Sequence, residues 1–409
     1  MNFEKNKANL LSASDDVLLH IFKYLNWIDS INLAVTCKRM KSVQYYLQKQ
    51  NQKFDLAKCV KKVTVPIENV LSEIGPHIRV AKIDESAIHT TFVKKCLNIK
   101  SLEIDGSIII SKNVAITLNA WIKKLHIDSL SMGQGFEDCV EDILDGITGL
   151  NSFAFDSFDK LLPTDFFYKN SNIEHLLLVM GNDAELALDL SSLHVLHNLH
   201  SLSLTTQKTA VLDDVREYLK VDQLKEFSIY MLDDNWDADT WEDFANYLAK
   251  NTKLDKLRII GSVEFDTKTF SQLKLFNLTS LWLDVRFSWD DLSTALYEST
   301  ALRLKYLRLE WPLSWCNSRR IGCIFKMWTT VEVVCFGTND TSDLLHHFND
   351  RFFSDILNLS NNRPALKLHI FSSEICFNFI LKRYHVIEGR ECCSCKDSFQ
   401  FSLESSSCT

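Results

Sequence analysis

The residues best placed to do chemistry are the cysteines near the end of the chain. Cys392, Cys393 and Cys395 lie close together, with His385 before them and Cys408 after them. Thiolate and imidazole groups bind structural zinc, but such a site normally needs two ligand pairs at defined spacing, and this cluster supplies one half. Because the surrounding sequence is rich in serine, we predict a flexible end with reactive thiols and no metal. The alternative is an enzyme that uses this cluster with a bound metal, which metal analysis of the purified protein would reveal.

Motifs for other kinds of catalysis are missing from the sequence. It has no glycine-rich phosphate loop, no nucleophile elbow and no paired His–Glu motif on a helix. We therefore predict that the protein is not an enzyme, has no catalytic residues and needs no cofactor.

The composition also excludes several classes of function. The 409 residues carry a net charge of −8 and are 46% hydrophobic, so neither wholesale disorder nor a basic nucleic-acid surface is expected. No apolar run approaches the roughly 18 residues of a membrane span, and the polar first residues are not expected to be a secretory signal. Scattered cysteines without such a signal indicate reduced thiols, so we predict a protein of the cytoplasm, the nucleus or both.

Side chains suited to binding a protein partner recur at equivalent places in the second half of the chain. Trp, Tyr and Arg dominate binding hot spots, and they occur here at intervals of about 26 residues. The predicted target-binding residues are Tyr230, Arg258, Trp282, Asp284, Arg308 and Glu310. We predict that this surface suits a peptide or loop bearing an acidic or aromatic side chain, because arginine binds carboxylate or phosphate well. The alternative is that the two arginines pair with Asp284 and Glu310.

The elements that must position these side chains follow from a short apolar pattern. An apolar residue, two others, an apolar residue, one other and a third apolar residue recur about every 26 residues. The clear copies begin at Ile99, Ile122, Leu150, Ile173, Leu199, Leu224, Leu254, Leu278, Leu304 and Val331. Weaker copies begin at Val60, Ile78 and Ala365. The alternating part predicts a short strand with one buried face, and helical apolar stripes lie between the strands.

This period and strand pattern resemble leucine-rich repeats. The resemblance implies an α/β fold, a horseshoe-shaped solenoid in which short parallel strands line the concave side and stacked units share one core. The Asn or Cys that such repeats usually carry three residues after the strand is missing, so other backbone bonds must satisfy the turns. A general α/β domain with several similar strands is the alternative.

The start of the chain predicts three short helices. The first carries apolar residues at helical spacing, can be capped by Ser12 or Ser14, and has Asp15 and Asp16 in its first turn. Its apolar residues are Val17, Leu18, Ile21, Phe22 and Leu25. A stretch of this length cannot bury so much apolar surface within itself, so part of it must meet another surface.

The same stretch resembles an F-box. Ile21, Phe22 and Leu25 match the first helix of that family, Asp29 matches the turn, and a third segment also matches. The third segment contains Val35, Cys37, Lys38 and Arg39. The usual Leu-Pro pair is Ala13-Ser14 here, and the usual Trp is Met40. An ordinary three-helix cap on the following domain is the alternative.

The F-box resemblance implies a partner, a Skp-type adaptor, and through it a cullin. The predicted adaptor-binding residues are Val17, Leu18, Ile21, Phe22, Leu25, Val35, Cys37 and Met40. The implied function is that of a substrate-recognition subunit of a Skp–cullin–F-box ubiquitin ligase, whose repeats hold a target protein for ubiquitination and proteasomal degradation. A repeat scaffold with a degenerate F-box and no role in ubiquitination is the alternative, motivated by the missing Leu-Pro pair. Neither nucleic acid nor a membrane is a predicted partner.

The predicted domain layout has five parts. Residues 1–11 form a flexible N-terminus and residues 12–50 the F-box. Residues 51–96 form a linker with the first degenerate repeats, residues 97–375 the repeat solenoid, and residues 376–409 a C-terminal cap with a Cys- and Ser-rich tail.

Overall fold

The computed structural model of the protein describes most of the repeat region and the helical start of the chain. The described residues are 13–25, 27–34, 36–40, 42–43, 53–55, 67–83, 90–104, 112–133, 139–157, 162–163, 165–180, 190–208, 210–232, 238–273, 277–288, 290–292, 294, 303–310, 330–337, 367–371, 375–380 and 383–388. The predicted cysteine cluster around Cys392, the weak copy at Val60, the predicted cap Ser12 and the adaptor residue Val35 lie outside them.

The chain forms two compact units, Met1–Asn170 and Ser171–Thr409. The first unit begins with helices α1 (Asp15–Tyr24) and α2 (Trp27–Ala34), and residues 38–40 and 42–43 are also helical. The Ser14 hydroxyl accepts a hydrogen bond from the Val17 amide at 3.4 Å and so caps α1, as the sequence predicted. The three predicted helical segments are therefore present.

A parallel sheet follows in the first unit, with its strands in sequence order. Its strands are β1 (Lys53–Asp55), β2 (Val80–Ile83), β3 (Ser101–Ile104), β4 (Ser129–Met132) and β5 (Ser152–Ser157). The helices between and after them are α3 (Ile67–Ile74), α4 (Thr90–Lys95), α5 (Lys112–Leu125), α6 (Val140–Leu144) and α7 (Phe166–Lys169), with a 3-10 turn at Gly75–His77.

The second unit repeats the same arrangement, and its strands also follow sequence order. The strands are β6 (His175–Met180), β7 (Ser201–Thr206), β8 (Glu226–Met231), β9 (Lys256–Phe265), β10 (Ser280–Phe287), β11 (Tyr306–Glu310), β12 (Val333–Gly337), β13 (Lys367–Phe371), β14 (Ile375–Ile380) and β15 (Arg383–Glu388). The helical segments are the 3-10 helix Leu190–Val195, α8 (Ala210–Tyr218), α9 (Ala238–Lys250) and α10 (Thr267–Gln272). Neighbouring strands from β6 to β13 are parallel, whereas β13, β14 and β15 pair antiparallel.

The predicted α/β fold with leucine-rich-repeat strands is confirmed. In the strand copies on β2 to β12 the second and third apolar residues point into the core; Leu257 and Leu281, for example, are 1% and 0% exposed. Both residues are register partners on β9 and β10, so the side chains of consecutive units stack into one shared core.

One copy of the strand pattern was assigned wrongly. Ile122 and Leu125 lie in helix α5, and the strand is β4, whose copy of the pattern consists of Ile127, Leu130 and Met132. The helical stripe that ends α5 happens to place apolar residues three apart, and this spacing imitates the start of a strand copy. His126, with φ of 49°, provides the left-handed turn between helix and strand.

Backbone hydrogen bonds align the units at the start of the strands. The carbonyl oxygen of Lys100 accepts hydrogen bonds from the amides of Asp128 and Ser129, at 2.8 and 3.0 Å. The carbonyl of Asp255 does the same for Thr279 and Ser280, at 2.8 and 3.1 Å. Comparable pairs form at the starts of β3, β5, β7, β8, β9, β11 and β12. We call this series the carbonyl ladder; it joins neighbouring units without any particular side chain.

Candidate functional site

The predicted adaptor residues divide between the inside and the outside of the helical start. Leu18, Phe22 and Met40 are 0–1% exposed and form a small core with Val43. These three residues were predicted to contact the adaptor, but in this structure they hold the helices together. Ile21, Leu25 and Cys37 are half-buried, and Leu25 and Cys37 pack against that core.

The exposed face of α1 carries a second apolar stripe. Val17 is 49% exposed and Tyr24 is 77% exposed. With the half-buried Ile21, they follow the i, i+4, i+7 spacing of one helix face. Tyr24 was not among the predicted adaptor-binding residues, although its seven-residue spacing from Val17 places it on the same helix face. We call Val17, Ile21 and Tyr24 the outer stripe; the ring of Tyr24 also contacts the His20 ring edge-to-face at 5.0 Å.

Arg39 joins the third helical segment to the start of α1. Its Nε and one terminal nitrogen donate to the same Asp15 oxygen, at 2.9 and 2.7 Å, and that nitrogen also donates to the Ala13 carbonyl at 2.6 Å. The ion pair itself contributes little because both side chains are well exposed to water. The bond to the backbone at Ala13 fixes the position at which the usual Leu-Pro pair is replaced.

The predicted target residues lie in two rows across the parallel strands of the second unit. Ser228, Arg258, Trp282 and Arg308 are register partners on β8 to β11 and form the middle row. Tyr230, Ile260 and Asp284 are partners on β8 to β10 and form the exit row. The structure therefore brings these distant positions together, with neighbouring strands about 4.8 Å apart.

Trp282 is enclosed by the two arginines of the middle row. The guanidinium carbon of Arg258 lies 3.6 Å from the centroid of the Trp282 ring, and that of Arg308 lies 3.9 Å from it. Cation–π attraction holds both guanidinium groups against the ring, and Trp282 is 9% exposed. It therefore cannot offer its face to a target; we call Arg258, Trp282 and Arg308 the arginine–tryptophan stack.

The charges near the stack are mostly paired. Nε and a terminal nitrogen of Arg308 each lie 2.6 Å from the same Glu310 oxygen, and both side chains are largely buried. Glu226 and Lys256 pair at 2.7 Å on the neighbouring strands. For Arg308 the predicted pairing with an acid is therefore present, so less of its hydrogen-bonding edge is left for an acidic target.

Asp284 sits in an unusual electrostatic environment. Burial and the negative charge of Glu310 raise the pKa of its carboxyl, Arg308 and Arg258 oppose the shift, and the resulting pKa is about 7. The charge of this residue therefore changes near neutral pH.

The backbone beyond the exit row is irregular. Gly261 follows Ile260 with φ of 154°, and a Cβ there would lie 2.7 Å from the Cβ of Met231, so a larger residue would not fit. The register between β9 and β10 shifts just after Asp284. This bulge ends the regular pairing next to the exit row.

No metal site or membrane helix is found in the part of the chain that the structure describes. There, no group of three or more His, Cys, Asp or Glu residues is placed to hold a metal ion. Within the same residues, no helix is both long and apolar enough to cross a bilayer. Cys37, Cys96, Cys139 and Cys335 form no disulfide in the described part of the chain, and burial raises the pKa of Cys96 to about 12.

Comparison with known proteins gives a family match at the start of the chain and structural matches that cover most of the chain. The F-box domain family matches residues 14–45. The yeast Rad7 and Elc1 complex contains a chain of similar fold, with 13% sequence identity, a TM-score of 0.50, and coverage of 87% of this chain and 92% of that chain. An internalin from Listeria monocytogenes is 13% identical over 88% of this chain and 87% of that chain, with a TM-score of 0.37. No curated protein matches the chain.

Proposed function

Because the chain joins an F-box domain to a leucine-rich-repeat fold, we propose that it is the substrate-recognition subunit of a Skp–cullin–F-box ubiquitin ligase. The F-box domain docks a Skp-type adaptor, and the adaptor connects the chain to a cullin. The repeats hold a target protein for ubiquitination and proteasomal degradation. The chain itself performs no chemistry, and holding the target next to the transfer machinery makes the transfer effectively unimolecular.

The observation that carries this proposal is the F-box match at residues 14–45, together with the outer stripe on α1. Exposed apolar residues of this kind are what an adaptor buries, whereas Leu18 and Phe22 are already buried without one. We propose that Val17, Ile21 and Tyr24 make the direct contacts and that the buried residues support them. The yeast Rad7 structure includes Elc1, and this pairing encourages a search for a comparable partner here. Cysteines that form no disulfide in the described part of the chain are consistent with action in the cytoplasm, the nucleus or both.

The first prediction tests the outer stripe by copurification. In the full-length chain, Val17→Asp combined with Tyr24→Asp places charge on the surface that the adaptor buries. Anchors of this kind each contribute about 2 kcal/mol or more, so we expect recovery of the adaptor and cullin to fall at least roughly tenfold. The measurement is quantitative mass spectrometry of the purified complex.

The matched control is Val221→Asp, an exposed apolar residue of the second unit that is 47% exposed. It should leave recovery of the adaptor unchanged, and circular dichroism should show that all variants remain folded. Equal recovery by the double variant and the wild type would contradict the proposed contacts. If the wild-type chain recovers other proteins but neither adaptor nor cullin, the alternative of a scaffold with a degenerate F-box is correct.

A further inference from the structure

The exit row lies beside exposed apolar surface in the second unit. Tyr230 is 42% exposed and Leu232 is 38% exposed, and their two-residue spacing along the chain puts both at the exit of β8. Ile260 is half-buried and lies between Tyr230 and Asp284. We call Tyr230, Leu232, Ile260 and Asp284 the exit patch: it is an apolar surface about two strand spacings wide that ends in a carboxyl group.

The carboxyl at the end of this patch differs from its charged neighbours. Arg308 is paired with Glu310, and Arg258 is stacked on Trp282. Among the residues that the structure describes, the Asp284 carboxyl makes neither a hydrogen bond nor an ion pair closer than 4 Å. Glu226 and Glu310 are paired with basic side chains, so the charge of Asp284 is the one among these three acids that a ligand can pair with directly.

The two neighbouring carboxyl groups, Asp284 and Glu310, favour a cation as that partner. An anion placed there would meet Asp284 and Glu310, whose mutual repulsion already raises the pKa of Asp284. A cation relieves this repulsion. The groups that face Asp284 are Arg258 from β9, and Arg308 and Glu310 from β11, and the positive charge of Arg308 is already offset by Glu310.

The apolar part of the patch fits the rest of a basic side chain. Lysine and arginine bury their aliphatic stems on apolar surface and keep the charged head in a polar place. A stem lying over Ile260 brings the head to Asp284, and Tyr230 then lies beside it, where its ring can contact the stem or a neighbouring apolar residue. The arginine–tryptophan stack borders the patch, and the guanidinium of Arg258 lies against the Trp282 ring.

We propose that the exit patch binds a segment of the target protein in which a lysine or arginine side chain lies next to an apolar one. The basic head pairs with the Asp284 carboxylate and the apolar neighbour packs on Tyr230 and Leu232. This inference rests on the proposed function, because it names the chemistry of the segment that the receptor recognises. It replaces the acidic or aromatic segment predicted from the sequence, since Trp282 and Arg308 are already engaged.

The experiment uses the full-length protein and three pools of synthetic decapeptides. The pools are identical random mixtures except for a central Leu-Lys-Leu, Leu-Gln-Leu or Leu-Glu-Leu. We expect the lysine pool to be retained at least roughly tenfold more than the other two at pH 8. Because the Asp284 carboxyl gains its charge near pH 7, retention of the lysine pool should rise several-fold between pH 6 and pH 8.

Two variants make the result specific. Asp284→Asn should remove both the preference for lysine and the pH dependence, and Tyr230→Ala should weaken the lysine and glutamine pools alike. The matched control is Glu264→Gln, which removes an exposed carboxyl of β9 outside the patch and should change nothing. A preference for the glutamate pool, equal retention of all pools, or no retention of any pool would overturn the inference.

The outcome is separable from that of the proposed function. Asp284→Asn should recover the adaptor as well as the wild type does, because the outer stripe is unchanged. If the wild-type chain does not bind the adaptor, the ligase role is rejected, but the peptide preference can still be measured. Conversely, normal adaptor recovery without any preference among the pools would reject only the exit patch.

Discussion

The surroundings of Asp284 raise the pKa of its carboxyl group to about 7, so this side chain keeps its proton almost to neutral pH. Asp284 is mostly buried, and the carboxylate of Glu310 is close enough to repel its negative charge. Two arginines nearby do not bring the pKa back to its ordinary range, because one is bound to Glu310 and both lie against Trp282. The residue is therefore a site where folding and protonation are linked.

This linkage predicts how stability depends on pH. The folded chain holds the Asp284 proton up to about pH 7, whereas the unfolded chain releases it near its ordinary pKa of 3.8. Between these values the folded state binds more protons, so the free energy of unfolding falls as pH rises, by at most on the order of 4 kcal/mol. Asp284→Asn should remove this loss, so its advantage over the wild type in thermal melts should grow from pH 5 to pH 8.

The control for this prediction is an acid whose pKa moves the other way. The Asp266 carboxylate accepts hydrogen bonds from the amide and the hydroxyl of Thr269, both at 2.7 Å, and these bonds lower its pKa. Its stabilising effect is present above its ordinary pKa and is lost as the solution becomes more acidic. Asp266→Asn should therefore alter the pH profile only in acid. A flat difference between Asp284→Asn and the wild type would contradict the shifted pKa.

At the scale of single residues, the sequence predicted which side chains lie next to each other but not the geometry of their contacts. The 26-residue spacing was sufficient to place Arg258, Trp282 and Arg308 in one row. It could not show that the two guanidiniums cover both faces of the ring, because that depends on side-chain torsions. In α1 the spacing identified an apolar helix, but only the packing of Met40 and Val43 decides that Leu18 and Phe22 face inward and Val17 outward.

At the scale of single elements, two asparagines occupy comparable places with different surroundings. Each directly follows the last residue of a helix, Asn170 after α7 and Asn251 after α9, and they are 1% and 2% exposed. The amide of Asn170 donates to the carbonyls of Ile147 and Phe166, at 2.9 and 3.0 Å, and accepts from the Leu150 amide at 3.2 Å. The side-chain atoms of Asn251 have no hydrogen-bond partner within the described chain.

The contrast gives a paired prediction. Asn170→Ala should cost about 2–4 kcal/mol of stability, because it leaves buried backbone groups without partners. Asn251→Ala serves as the matched variant and should be neutral or slightly stabilising, because it removes buried polar atoms that make no hydrogen bond. Urea unfolding of both variants measures the difference. Similar losses in the two would show that the side-chain bonds of Asn170 do not carry the effect.

Most strands were predictable because each copy alternates buried and exposed positions over a short run between turns. The failure at Ile122 has a physical cause, since the last turn of a long amphipathic helix repeats apolar residues three and four apart. A three-residue spacing is shared by that stripe and by the first step of the strand copy. Leu125 and Ile127 imitate the two-residue step as well, and the regular burial of Leu130 and Met132 in β4 shows where the strand lies.

On the scale of the whole molecule, stability is distributed over neighbouring units. Leu257 and Leu281 are register partners on β9 and β10, and both are buried. In a repeat protein each unit contacts mainly the next ones, so damage to one core position spreads along the stack. The described strands of the second unit from β6 to β13 share this dependence because each pairs with its sequence neighbours.

The corresponding prediction concerns two core truncations. Leu257→Ala and Leu281→Ala should each cost roughly 2–5 kcal/mol of stability, because each leaves a cavity in a shared core. Hydrogen exchange should show lost protection in β8 and β11 as well as in the mutated strands. Leu232→Ala is the control. It removes an exposed leucine that follows β8 in the second compact unit, and little effect is expected. Near-wild-type melting of both core variants would mean that these positions do not share a core.

The carbonyl ladder has a consequence for how such a chain can change over many generations. Every amino acid carries a carbonyl, and every one except proline carries an amide hydrogen, so ordinary point mutations leave the bonds between units intact. The register between neighbouring strands is therefore kept, although the asparagine that leucine-rich repeats usually carry is missing. Outward residues such as Tyr230 and Asp284 are then open to selection for new partners while the strands beneath them stay aligned. Related proteins can therefore evolve to bind a different target without a change of fold.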